Sequence, residues 1–127
     1  MTEHRTPLAR VRGLGSAKSG TEHFWHQRLT AVANVPLTIA FVLIVLALLG
    51  RNHAAAQQIL GTPLVAIVIL LFIGSITYHM RIGMQVIIED YIRKPVTKSV
   101  LLLLNTLILI ALGAGAIFAV LIVNFGA

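Results

Sequence analysis

The stretch Ile73–Ile92, IGSITYHMRIGMQVIIEDYI, sets His79, Arg81, Glu89, Asp90 and Tyr91 into apolar surroundings. Within a membrane, each ionisable side chain costs about 2.5–3.5 kcal/mol on insertion scales, which marks such residues as functional candidates. Read as a helix at about 100° per residue, the stretch puts Ser75, His79, Gly83, Val86 and Asp90 on one face, with Asp90 about 16 Å beyond His79 along the axis. Tyr91 is rotated about 100° further round. A neutral imidazole in an apolar site is a good ligand for haem iron. A glycine one turn away removes side-chain bulk where a flat macrocycle would lie against the helix. One histidine supplies one axial bond. His4, His23 and His26 precede the first apolar run and His53 lies in a polar connection, so a second ligand must come from a partner chain. The competing reading of His79 is a histidine bonded to a neighbouring helix carbonyl, and spacing alone does not separate the two. Arg81 fits a water-filled groove or a pairing with another chain. Glu89, Asp90 and Tyr91 also fit a solvated helix end at the membrane interface, where Tyr is enriched.

A second polar cluster precedes the first apolar run: His23, Trp25, His26, Gln27 and Arg28. It reads either as an interfacial aromatic belt with a snorkelling arginine, or as a place where Arg28 or a nearby histidine neutralises acidic groups such as haem propionates.

The elements that must position these residues follow from the scarcity of charge. The chain has 127 residues, of which 57% are hydrophobic and 11% charged, and its mean hydropathy is +0.91. A soluble domain carries about 25% charged residues, so this composition excludes a soluble enzyme as well as a disordered chain. There is no cysteine, hence no disulfide, thiolate metal site or cysteine nucleophile. Leu29–Gly50 contains no Asp, Glu, Lys or Arg, and neither does Ser99–Ala127; between Arg51 and Arg81 the charge-free stretch includes the apolar Leu64–Met80. A hydrocarbon core about 30 Å thick needs roughly 20 helical residues. The expected fold is therefore all-α, with membrane helices over about 29–50, 64–92 and 99–124 forming an anchor domain 29–127 behind an N-terminal segment 1–28. Pro36 falls inside the first helix and is expected to kink it. In the last helix Gly113 and Gly115 permit close helix packing, while Asn105 and Asn124 suggest no chemistry.

Of ten basic residues, five lie in residues 1–28 and three in the connection Arg93–Ser99, against Arg51 alone in the other loop. The positive-inside rule then places the N-terminus and second loop in the cytoplasm. The net charge of +6 is assigned to membrane orientation, not to nucleic acid. The long polar lead-in argues against a cleaved signal at the first helix, and Glu3 and Glu22 speak against a mitochondrial presequence.

His79, Gly83 and Asp90-Tyr91, on the second of three membrane helices, resemble the signature of the succinate dehydrogenase (respiratory complex II) hydrophobic membrane anchor family. Arg10-Val-Arg-Gly-Leu-Gly-Ser-Ala-Lys18 and Arg28-Leu-Thr-Ala31 look like its alphaproteobacterial branch. The resemblance spans roughly residues 7–95. It implies a bacterial inner-membrane subunit paired with a cytochrome b556 anchor and docking the iron–sulfur and flavoprotein subunits on the cytoplasmic face. It also implies one haem b, with His79 as an axial ligand, Gly83 against the macrocycle and Arg28 near a propionate. Tyr91 would hydrogen-bond a ubiquinone carbonyl, with Asp90 beside that site. Fumarate reductase anchors share this plan. A cofactor-free assembly protein, or a transporter subunit with His79, Arg81 and Asp90 along an ion path, remains a different class of answer.

Overall fold

The computed structural model describes residues 6–13 and 21–126. Glu3, His4, Arg5, the stretch 14–20 with Lys18, and Ala127 lie outside the described residues. The elements are α1 (Pro7–Val11), α2 (Glu22–Leu48), α3 (His53–Leu60), α4 (Pro63–Tyr91) and α5 (Pro95–Phe125). The three long helices have 27, 29 and 31 residues, and all are apolar enough to cross a membrane. At about 1.5 Å per residue each exceeds a 30 Å hydrocarbon core by roughly 10 Å or more.

The elements differ from the charge-gap reading in three places, one of them the start of α5 at Pro95 rather than at about residue 99. α2 begins at Glu22 rather than at Leu29. Hydropathy marks where a helix enters lipid, not where its backbone bonds begin, and the polar turns 22–28 are held by packing against α4. The connection after Arg51 contains the short helix α3, capped by Asn52, whose side chain accepts a hydrogen bond from the Ala55 amide at 2.9 Å. Local signals set the other ends. Pro63 and Pro95 stand in the first turns of α4 and α5, where a missing amide proton is harmless. Gly126 ends α5 in the left-handed conformation, φ 66°. Pro36 lies inside α2, which continues through it.

α4 is the central helix, antiparallel to and packed against both α2 and α5, with α3 resting on the ends of α4 and α5. On the α2 side Phe41 stacks on Phe72 with ring centroids 4.6 Å apart. On the α5 side the helices close at Gly113, where a Cβ would come within 3.2 Å of the Thr77 side chain. Gly113 thus does what its position suggested, whereas Gly115 faces open space. Asn124 ties the end of α5 to the Leu60 carbonyl of α3 at 3.3 Å. The buried apolar set is small: Ala66, Ile69, Ile82, Ile88 and Leu109. Most large apolar side chains point outward, as expected where lipid or partner helices supply the contacts.

Candidate functional site

The face of α4 that carries Ser75, His79 and Gly83 packs against α2. There the two helices meet through polar side chains. His79 Nδ1 lies 2.9 Å from the Thr30 hydroxyl, and its Nε2 lies 3.3 Å from the Gln27 amide nitrogen. A Cβ on Gly83 would sit 3.4 Å from that same Gln27 nitrogen. His79 is therefore bonded across the helix pair, but to side chains and not to the backbone carbonyl of the competing reading. Three buried polar atoms on this interface have no partner among the described residues: Gln27 Oε1, Asn34 Oδ1 and Ser75 Oγ. Asn34 follows Thr30 by one turn of α2 and Ser75 precedes His79 by one turn of α4. In antiparallel helices both steps lead deeper into the bilayer. The polar seam thus runs inward from the His79 level.

Toward the chain's N-terminal side the seam opens into a groove of about 810 Å³, lined by His23, Gln27, Arg28, Gln85, Val86 and Glu89 among others. Arg28 is exposed on its rim, with its guanidinium carbon 4.7 Å from the centre of the Phe24 ring. The structure thus brings Arg28, His79 and Gly83 to one helix interface. His26 contributes differently: its Nδ1 meets the Tyr78 hydroxyl at 2.8 Å. That contact latches the first turns of α2 onto α4.

Tyr91 belongs to the other side of α4. It is 79% exposed and lines an apolar groove of about 510 Å³ between α4 and α5, with Met80, Met84, Ile87, Leu104 and Ile108. The twelve residues between His79 and Tyr91 turn the helix by about 120° net, which accounts for the separation. Asp90 is exposed at the same helix end and has no partner among the described residues. Arg81 points toward α5: its Nε donates to the Thr106 hydroxyl at 3.4 Å, and Asn105 donates to the Arg81 carbonyl at 3.0 Å. Asn105, unassigned from sequence, is a tie between α4 and α5. Thr30 and Tyr78 are likewise unassigned from sequence, and Gln27 figures there only as a member of the polar cluster before the first apolar run. Their only prior signal is polarity at helical spacing near the membrane edge.

A central helix with an internal histidine, flanked by one apolar helix on each side, is the setting in which the His79–Tyr91 spacing acquires meaning. Residues 2–123 match the family described as succinate dehydrogenase/fumarate reductase transmembrane subunit. The chain belongs to this family. It is 30% identical over 122 residues to the succinate dehydrogenase hydrophobic membrane anchor subunit of Paracoccus denitrificans, covering 96% of this chain and 94% of that one. It is 33% identical over 90 residues to the corresponding subunit of Rickettsia bellii, covering 71% of this chain and 72% of the relative. The succinate dehydrogenase membrane anchor subunit of Reclinomonas americana is 32% identical over 96 residues, covering 73% and 80%. No solved structure gives a significant match. As a member of the succinate dehydrogenase/fumarate reductase transmembrane family, the chain is a multi-pass membrane subunit in an oxidoreductase context, not a transporter.

Proposed function

We propose that this chain anchors a succinate:ubiquinone oxidoreductase in the bacterial inner membrane, gives one axial ligand to a haem b and forms part of the ubiquinone site. At the coarser level it is a succinate dehydrogenase membrane anchor subunit that associates with the catalytic subunits and the membrane. The partners of the finer reading are a cytochrome b556 anchor, an iron–sulfur subunit and a flavoprotein subunit. The observation that carries the reading is the placement of His79 and Gly83 together on the central helix, with Arg28 at the rim of the same interface.

The residues present fit a haem. Among the described residues, Gln27 is the side chain that a Gly83 Cβ would meet within 4 Å, and its buried amide oxygen has no partner there. The amide also lines the open groove, which gives it room to turn away. His79 Nε2 would hold the iron, Gly83 would leave space for the ring, and Arg28 would meet a propionate through charge-assisted hydrogen bonds. Bound haem would supply a one-electron relay inside the bilayer. Succinate oxidation releases two electrons and two protons, and reduction of the quinone consumes the same numbers. Tyr91 offers a hydroxyl donor to a quinone carbonyl at the mouth of an apolar groove suited to a ring and its tail. Exposed Asp90, one residue away, offers a water-accessible carboxyl group. The basic N-terminal segment and the basic residues Arg93, Lys94 and Lys98 face the cytoplasm, where the catalytic subunits dock.

The test is purification from membranes through a tag on this chain. The expected complex oxidises succinate, reduces ubiquinone and shows a b-type haem band. A complex without succinate oxidation would contradict the reading, and faster fumarate reduction by a low-potential quinol would move it to the fumarate reductase branch. A reporter fused after Ala127 should read out on the periplasmic side; a cytoplasmic readout would overturn the orientation.

A further inference from the structure

The Thr30 hydroxyl makes three close contacts and has one proton to give. It lies 2.7 Å from the His26 carbonyl, 3.2 Å from the Gln27 carbonyl and 2.9 Å from His79 Nδ1. A carbonyl only accepts, so the 2.7 Å approach to His26 takes the hydroxyl proton. What Thr30 then presents to His79 is an oxygen lone pair. Two lone pairs at 2.9 Å would repel, so His79 Nδ1 carries a hydrogen and donates it to Thr30. In a neutral imidazole this leaves Nε2 bare. The far side of the ring agrees: the group turned to Nε2 is the Gln27 NH2, a donor, while the Gln27 oxygen is left unpartnered. Contacts from two residues, on the two ring nitrogens, thus select one tautomer.

We propose that Thr30 is the positioning residue of this site: it accepts the Nδ1 hydrogen of His79, locks the ring against α2 and aims the Nε2 lone pair at the place where iron would bind. The inference rests on the reading of His79 as a haem ligand. Ligating histidines commonly donate their second ring hydrogen to an oxygen, which fixes the tautomer and raises ligand basicity. Here that oxygen sits on a hydroxyl already anchored to the backbone of α2, so ring orientation is tied to helix packing. Gln27 stands at the place a ligand would take and satisfies the lone pair there.

The experiment uses the assembled complex, with three variants of this chain compared by haem content, haem midpoint potential and the electron paramagnetic resonance of the oxidised haem. Thr30→Val keeps the shape and removes the acceptor; Thr30→Ser keeps the acceptor. The expected result is an upward shift of the potential and altered resonance positions in Thr30→Val, because a less basic ligand favours ferric iron less. Thr30→Ser should restore wild-type values. Loss of haem in Thr30→Val beside an intact Thr30→Ser also supports the role, since Val differs from Thr only in the hydroxyl. Wild-type potential and resonance in Thr30→Val, or equal damage in Thr30→Ser, would overturn it. His79→Ala separates the two levels: haem retained in that variant removes the ligand reading itself, and Thr30's role with it.

Discussion

The side of α4 that faces α2 carries a polar seam that opens into a groove beside Arg28, whereas the side that faces α5 holds an apolar groove with Tyr91 at its end. On the first side Gln27, Thr30 and His79 bond to one another, and three buried polar atoms have no partner among the described residues. On the second side Met80, Met84 and Ile87 floor a groove that Tyr91 at its edge and Asn105 alone make polar among the described residues. A polar group buried without a partner costs about 1–3 kcal/mol, which fits the proposal that the first side holds a resident group. The second suits a molecule that enters and leaves. On the proposed reading one helix separates a resident group from a mobile one, and the rotation between residues 79 and 91 sets the two apart.

Filling the α2 side should produce the largest effect. Gly83→Leu pushes a side chain at the Gln27 amide, and overpacking of about 1–3 kcal/mol corresponds to roughly a five- to hundredfold fall in haem content. Haem spectra of the purified complex check this, and succinate oxidation by an artificial acceptor should persist. A full haem complement would show that the macrocycle lies elsewhere. On the α5 side, Tyr91→Phe should lower succinate–quinone activity about tenfold, the worth of one hydrogen bond of about 1.4 kcal/mol. Succinate oxidation by the artificial acceptor should stay near wild type; equal loss of both would mean damaged assembly and would dissolve the contrast between the sides.

Smaller effects sharpen the contrast by touching neither site. Gly113→Val meets Thr77 where the gap to an added Cβ is already 3.2 Å. It should destabilise the α4–α5 contact by about 1–3 kcal/mol, seen as a lower melting temperature of the complex with the haem spectrum unchanged. Asn52→Ala removes the cap of α3 at the opposite end, at a cost of about 1 kcal/mol, and should alter neither haem nor quinone activity.

What could be read from the residues follows the range of the forces involved. The three spans are legible because charge is excluded from lipid over a length that backbone geometry dictates. The common face of His79 and Gly83, and the turning away of Tyr91, are legible because one helix fixes them through its own periodicity. The Gln27–His79–Thr30 arrangement is not, because it depends on the register of α2 against α4, which packing sets. The same holds for Arg81, whose Thr106 partner lies on a third helix. The early start of α2 was hidden because its first turns are polar, and their helical state rests on contacts such as His26 with Tyr78.

The central claim is that the side of α4 facing α2 holds haem iron through His79. The direct measurement is a dithionite-reduced minus oxidised spectrum of the complex purified with wild-type chain and with His79→Ala. The account predicts a b-type band in the first and its loss in the second. A band of undiminished size in His79→Ala would contradict it.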